Sequence, residues 1–172
     1  MISVLRLGHR RGRDDRISTH VGLTARQWGA SGIVYSGEKD EKMMESLEDI
    51  IDRWGGDFSV EYDESWRSRL EQFDGVVVHL TMYGERIGEK LGEVRQKFGD
   101  QHVLVVVGSQ KVPREVYRKA DYNISVGNQP HSEIAALAVF LDRLNDGEIE
   151  QEFEGADIRV RPSEQDKLTE EP

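Results

Sequence analysis

Two short valine-rich runs, GVVVHLT (75–81) and HVLVVVG (102–108), constrain this chain more than any other feature. An apolar, β-branched run with no polar alternation belongs to a strand covered on both faces, the situation of a central strand in a parallel sheet. Weaker strand signals recur at ISVLRL (2–7), SGIVYSG (31–37), FSVEY (58–62) and YNISVG (122–127), with DIRVR (157–161) as a further candidate. Helical spacing fills the intervals. Residues 40–54 place Met43, Met44, Leu47, Ile50, Ile51 and Trp54 at steps of three and four. Further helices are expected over 65–73, 84–98 and 131–145, and HVGLTAR (20–26) is also expected on a helix. Strands alternating with helices predict an α/β fold, a mostly parallel sheet with helices on both faces. One domain over 1–162 accounts for these elements, and the polar tail 163–172 is expected to be disordered. In such sheets ligands bind outside the carboxyl ends of the strands. That edge should carry HLTMYG (79–84), VGSQKVP (107–113) and VGNQPHSE (126–133), so their convergence on one crevice follows from the fold class alone.

Several chemistries are excluded. Cysteine is absent, so there is neither a disulfide nor a thiolate nucleophile or ligand. No segment has the run of about 20 apolar residues that crosses a bilayer, and the first residues lack the charged-then-apolar order of a secretory signal. No membrane partner and a cytoplasmic location are therefore expected. The histidines (His9, His20, His79, His102, His131) form no helical metal-ligand pair, and no metal is expected. GERIGEKL (84–91) lacks the hydroxyl that closes a phosphate loop, and G-x-G-x-x-G is missing. The strand-end loops instead offer backbone N–H and C=O groups to an adenine edge or a ribose. Each loop read singly is also an ordinary turn, with Pro113 or Pro130 opening the next helix.

The net charge of −10 hides an asymmetry, because residues 1–26 carry six arginines against Asp14 and Asp15. A basic end on an acidic body is a footprint for a polyanion, and also what a solvated arginine-rich loop would look like.

The stretches HRRGRDDRISTHVGLTARQWGA, VVHLTMYG, VVVGSQKVPREVY and ADYNISVGNQPHSEIAALAVFLDRL closely resemble the archaeal tRNA (cytidine-56)-2′-O-methyltransferase family, a branch of the SPOUT methyltransferases. The resemblance implies a deep C-terminal trefoil knot and a homodimer. It also implies S-adenosyl-L-methionine as cofactor and transfer to the 2′-hydroxyl of a cytidine in the tRNA TΨC loop. By motif match it implies cofactor contacts at Leu80, Thr81 and Met82, at Gly108, Ser109, Gln110, Lys111 and Val112, and at Val126, Gly127, Asn128, Gln129, Pro130, His131, Ser132 and Glu133. HVGLTAR is similar to the first motif of the superfamily's ribose methyltransferases, which implies a catalytic role for Arg26. His20 stands where asparagine is usual and is the lesser candidate, as a base; Ile134 also departs from the third motif. Arg10, Arg11, Arg13 and Arg16 are expected to grip tRNA phosphates, which positions a substrate without reading its sequence. The alternative is a non-catalytic nucleotide- or RNA-binding module using the same loops.

Overall fold

The computed structural model describes residues 1–99, 101–148 and 152–171. Strand and helix alternate as β1 (Ile2–His9), α1 (Asp15–Gln27), β2 (Gly32–Gly37), α2 (Glu41–Trp54), β3 (Ser59–Tyr62), α3 (Trp66–Gln72) and β4 (Val76–Arg86). They continue as α4 (Ile87–Phe98), β5 (Val103–Gly108), α5 (Arg114–Lys119), β6 (Tyr122–Ser125), α6 (Glu133–Leu144), β7 (Arg159–Arg161) and β8 (Leu168–Glu170). The first six strands form one parallel sheet in the order β3-β2-β1-β5-β4-β6. The two valine-rich strands thus sit inside the sheet, as their composition requires.

Alternation along each strand sorts side chains into two cores. Val103, Val105 and Val107 of β5 join the larger core, under α1, α2, α4 and α6. Leu104 and Val106 join the smaller one, under α3 and α5. Burying each of these side chains stabilises the fold by roughly 1.5–3 kcal/mol. The Asp40 carboxylate caps α2 by accepting from the Met43 N–H at 3.1 Å. Gly22 sits where a Cβ would lie 2.4 Å from Leu47 and 2.6 Å from the Tyr35 hydroxyl, so its lack of a side chain lets α1 close on α2 and β2.

Three expectations are corrected. The helix expected from residue 84 begins at Ile87, because β4 runs on to Arg86. Leu80 and Glu85 both register with Ile124 of β6, so residues 81–84 leave the ladder as a wide excursion. Gly84 passes so close to β6 that a Cβ there would lie 2.5 Å from the Asn123 carbonyl oxygen. The candidate strand at 157–161 does form in part, as β7, but outside the main sheet. The tail expected to be disordered supplies its partner: β8 pairs antiparallel with β7 through Arg159–Glu170, Val160–Thr169 and Arg161–Leu168. Leu168 and Thr169 give the tail enough β-forming character for one short ladder. Residues 149–151 of the acidic stretch and Pro172 lie outside the described residues.

Candidate functional site

The three strand-end loops meet in a pocket of about 1110 Å³ at the carboxyl edge of the sheet. Leu80 to Met82, Gly108, Gln110 to Val112, Val126 and Gln129 to Glu133 all line it. Three residues of the expected set do not. The Ser109 hydroxyl turns away to the Gly8 carbonyl and fastens the second loop to the end of β1. The Gly127 N–H donates to the Ser125 hydroxyl at 3.1 Å. The Asn128 amide donates to the carbonyls of Met82 at 2.9 Å and Gly84 at 3.2 Å, tying the third loop to the first.

Arg114, Tyr117 and Ala136, outside the expected loops, also line the pocket, as do His79, Tyr83 and Val107, which lie in those loops but not among the expected cofactor contacts. His79 is fully buried, with Nδ1 2.9 Å from the Asn123 side-chain oxygen. Asn123 spends its own N–H on the Tyr117 carbonyl, so its oxygen faces the ring and Nδ1 carries the proton. Burial pushes the His79 pKa below its ordinary 6.5, opposed by the Asn123 contact, and Nε2 has no hydrogen-bond partner among the described residues. Tyr117 stands edge-on to this ring at 4.6 Å and shares a 2.9 Å hydrogen bond with the Thr81 hydroxyl. At the rim Tyr83 is 78% exposed, although its backbone is gripped on both sides by Asn128. Within the wall beside α6, Arg6 is fully buried and donates to Glu133 at 2.9 Å. The same guanidinium opposes the rise that burial imposes on the Tyr35 phenol.

The arginine-rich loop leaves β1 at the same edge. Of the six arginines, Arg6 and Arg26 are buried and cannot meet a polyanion. Arg10 makes a two-pronged pair with Asp14, 2.8 Å and 2.9 Å, which holds the Asp14 carboxyl below its usual range. Arg11, Arg13 and Arg16 point into solvent. His9, Asp15 and Asp40 cluster beneath the loop, but His9 already bonds Ser18 at 2.8 Å and meets Asp40 at 3.4 Å.

Arg26 is not at this edge. Helix α1 starts beside the loops and runs back along the sheet, so eleven residues later Arg26 is about 16 Å away at the opposite end. Its guanidinium donates to the carbonyls of Trp54 at 3.0 Å and Gly55 at 2.6 Å and lies 3.8 Å over the Phe153 ring. Those contacts make it a structural fastener where α2 ends. His20 is exposed on α1 and does not line the pocket.

Residues 54–170 match the family model described as tRNA ribose 2'-O-methyltransferase, aTrm56. The chain belongs to this family. It is 54% identical over 171 residues to the tRNA (cytidine(56)-2'-O)-methyltransferase of Pyrococcus abyssi, covering 98% of this chain and 86% of the relative. It is also 54% identical over 171 residues to the Methanopyrus kandleri enzyme of the same name, covering 97% and 94%. Among solved structures, the A. aeolicus TrmH/SpoU tRNA modifying enzyme matches with a TM-score of 0.60 at 16% identity, over 85% of this chain and 74% of that one. The SpoU methyltransferase AviRb from Streptomyces viridochromogenes, solved with the cofactor AdoMet, matches at 0.55 and 13%, over 85% and 57%. At those identities the fold is what the family shares with them.

Proposed function

We propose that the chain is an S-adenosyl-L-methionine-dependent tRNA ribose 2′-O-methyltransferase acting on cytidine 56 of the TΨC loop. On this reading it works as a cytoplasmic homodimer, and its C-terminal half is knotted. One observation carries the proposal: the near-full-length likeness to the cytidine-56 enzymes runs through all three loops of the pocket.

The residues present fit the cofactor. Val107, Val112, Val126 and Ala136 give the pocket the apolar walls an adenine needs. The backbone of Gln110 to Val112 and Gln129 to Ser132 gives it polar edges, and the volume suits a nucleoside joined to an amino acid. Bound there, the cofactor supplies an activated methyl group on a positively charged sulfur. The chain's own task is to align the ribose oxygen with that methyl and to remove the hydroxyl proton. Arg11, Arg13 and Arg16, on the same edge as the pocket, would hold the tRNA backbone.

Labelled methyl transfer to an unmodified tRNA transcript tests the proposal, with the product mapped by nucleotide. The expected product is 2′-O-methylcytidine at position 56, abolished when that nucleotide is 2′-deoxy. If neither S-adenosylmethionine nor its demethylated product binds by calorimetry, the enzymatic reading is wrong.

A further inference from the structure

The mouth of the pocket carries an exposed aromatic ring, Tyr83, and two exposed cations, Lys111 and Arg114. We infer that Tyr83 is a stacking platform for the base of the nucleotide whose ribose is methylated, with Lys111 and Arg114 holding the flanking phosphates. The inference rests on the methyltransferase reading above and names the side chains that would seat its substrate.

Of the five tyrosines, Tyr35 and Tyr122 are buried, and Tyr62 and Tyr117 are half-buried with their hydroxyls bonded to the Gly37 carbonyl and to Thr81. Tyr83 alone is exposed, at 78%. A single exposed aromatic is common on a protein surface. What sets this one apart is a backbone that cannot withdraw it. The Tyr83 N–H donates to the Thr81 hydroxyl at 3.4 Å, Thr81 in turn bonds Tyr117, and Asn128 holds the carbonyls of Met82 and Gly84. Gly84, the next residue, lies against β6 with no room for a side chain. The excursion 81–84 therefore presents the ring to solvent from a fixed point on the pocket rim.

The charges of the rim point the same way. Lys111, from the second loop, and Arg114, the first residue of α5, have no ion-pair partner among the described residues. That is unexpected in a chain with 33 acidic side chains against 23 basic ones. Nearby cations do find partners, Arg67 with Glu115 and Lys119 with Glu71. Unpaired cations in so acidic a chain mark a place where negative charge arrives from outside.

The geometry of a nucleotide then selects the base. The 2′-oxygen must reach the methyl group inside the pocket, and the carbon beside C2′ is C1′, which bears the base. The base nearest the mouth is therefore that of the methylated nucleotide itself. An unpaired base offers a flat π-face, and stacking it on an aromatic side chain is how proteins hold single-stranded bases. Tyr83 would orient the nucleotide in this way while the two cations take the phosphates on either side of it.

The test uses the full chain with S-adenosylhomocysteine and two tRNAs, one bearing cytidine at position 56 and one bearing a reduced abasic ribose there, which keeps the 2′-hydroxyl and lacks the base. Tyr83→Ala should weaken binding of the cytidine tRNA by about 5- to 100-fold, the loss of one base–aromatic stack. Tyr83→Phe and Tyr83→Trp keep a ring and should hold affinity to within about three-fold of the unsubstituted chain. The abasic tRNA should bind Tyr83→Ala and the unsubstituted chain alike, because the partner of the ring is gone. Tyr83→Ala should leave the salt slope unchanged, whereas Lys111→Gln with Arg114→Gln should lower it by about 1.5. Calorimetric affinity of Tyr83→Ala for S-adenosylhomocysteine should stay within about two-fold, because the exposed ring is not needed to wall that ligand.

Unimpaired tRNA binding by Tyr83→Ala overturns the platform. An equal effect on the cytidine and abasic tRNAs overturns it too, by setting the ring against something other than that base. A parallel loss of S-adenosylhomocysteine binding makes the ring a cofactor contact, and an altered sedimentation coefficient makes it a contact between copies of the chain; either result ends the assignment. A salt slope unmoved by the Lys111 and Arg114 substitutions overturns their phosphate contacts. If the unsubstituted chain methylates no ribose, the functional reading fails and the platform falls with it; normal transfer beside unimpaired Tyr83→Ala binding removes the platform alone.

Discussion

Replacing Arg26 with alanine separates two accounts of this residue. A catalytic arginine would leave stability alone and remove turnover. The observed contacts predict the reverse. Arg26→Ala strands the carbonyls of Trp54 and Gly55, which it now satisfies at 3.0 Å and 2.6 Å. It also removes a cation 3.8 Å above the Phe153 ring. An unsatisfied buried acceptor costs about 1–3 kcal/mol, and a partly desolvated cation–π contact about 0.5–2 kcal/mol. Water reaching the opened site recovers part of this, so the expected loss is about 3 kcal/mol. For a chain of this size that lowers Tm by roughly 6–12 °C. Urea unfolding gives the stability change, and turnover is then measured well below the lowered Tm with cofactor and tRNA saturating. The expected kcat is within about three-fold of the unsubstituted chain, since an interaction made outside the transition state does not enter that step. Unchanged stability with a hundred-fold fall in kcat would refute the assignment and return Arg26 to the chemistry. Arg26→Lys should recover part of the stability, because one ammonium can reach one carbonyl but cannot reproduce the planar stack.

Three further outcomes are expected. Burial holds the His79 pKa below 6.5, so the unfolded chain binds a proton that the folded one refuses; stability should be full above about pH 6.5 and fall on acidification, a slope that urea midpoints should find flattened in His79→Leu. Neutralising Arg11, Arg13 and Arg16 together should weaken tRNA binding across sequences and lower the slope of log K against log salt by about 2. In the same filter-binding assay Arg10→Ala should barely move that slope, because Arg10 already spends its charge on Asp14 at 2.8 Å. Gly84→Ala sets a Cβ 2.5 Å from the Asn123 carbonyl, so denaturation should record a loss of about 1–3 kcal/mol, and calorimetry weaker S-adenosylhomocysteine binding.

The sheet was legible because its central strands are written in valine, and periodicity alone locates four of the helices. The six-residue α5 shows too little of its period to be read that way. The excursion of β4 was hidden for a different reason. Nothing in TMYG says that the strand resumes at Glu85, because the instruction lies in Asn123 and Ile124 of a strand some forty residues later. The pocket followed from the rule that loops gather at carboxyl ends, yet that rule does not say which way Ser109 or Asn128 turns. His79 was placed at that edge but not among the pocket contacts, because its neighbours in the run are core valines. Its partners Asn123 and Tyr117 are distant in sequence. For Arg26 a usable signal did exist. A helix that leaves a strand's carboxyl end at Asp15 carries Arg26, eleven residues further on, about 16 Å back across the domain, so motif likeness and geometry disagree.

The double grip of Asn128 on the carbonyls either side of Tyr83 has a thermodynamic consequence. Two loops that belong to different strands are joined before any ligand arrives, so they share one conformation. A molecule entering the pocket is spared most of the entropy of ordering them, which otherwise costs about 0.5–1.5 kcal/mol for each immobilised side chain. Association should therefore proceed in a single kinetic phase, at a rate set by encounter and desolvation. Asn128→Ala would restore the ordering cost, and a slow second phase should then follow the first.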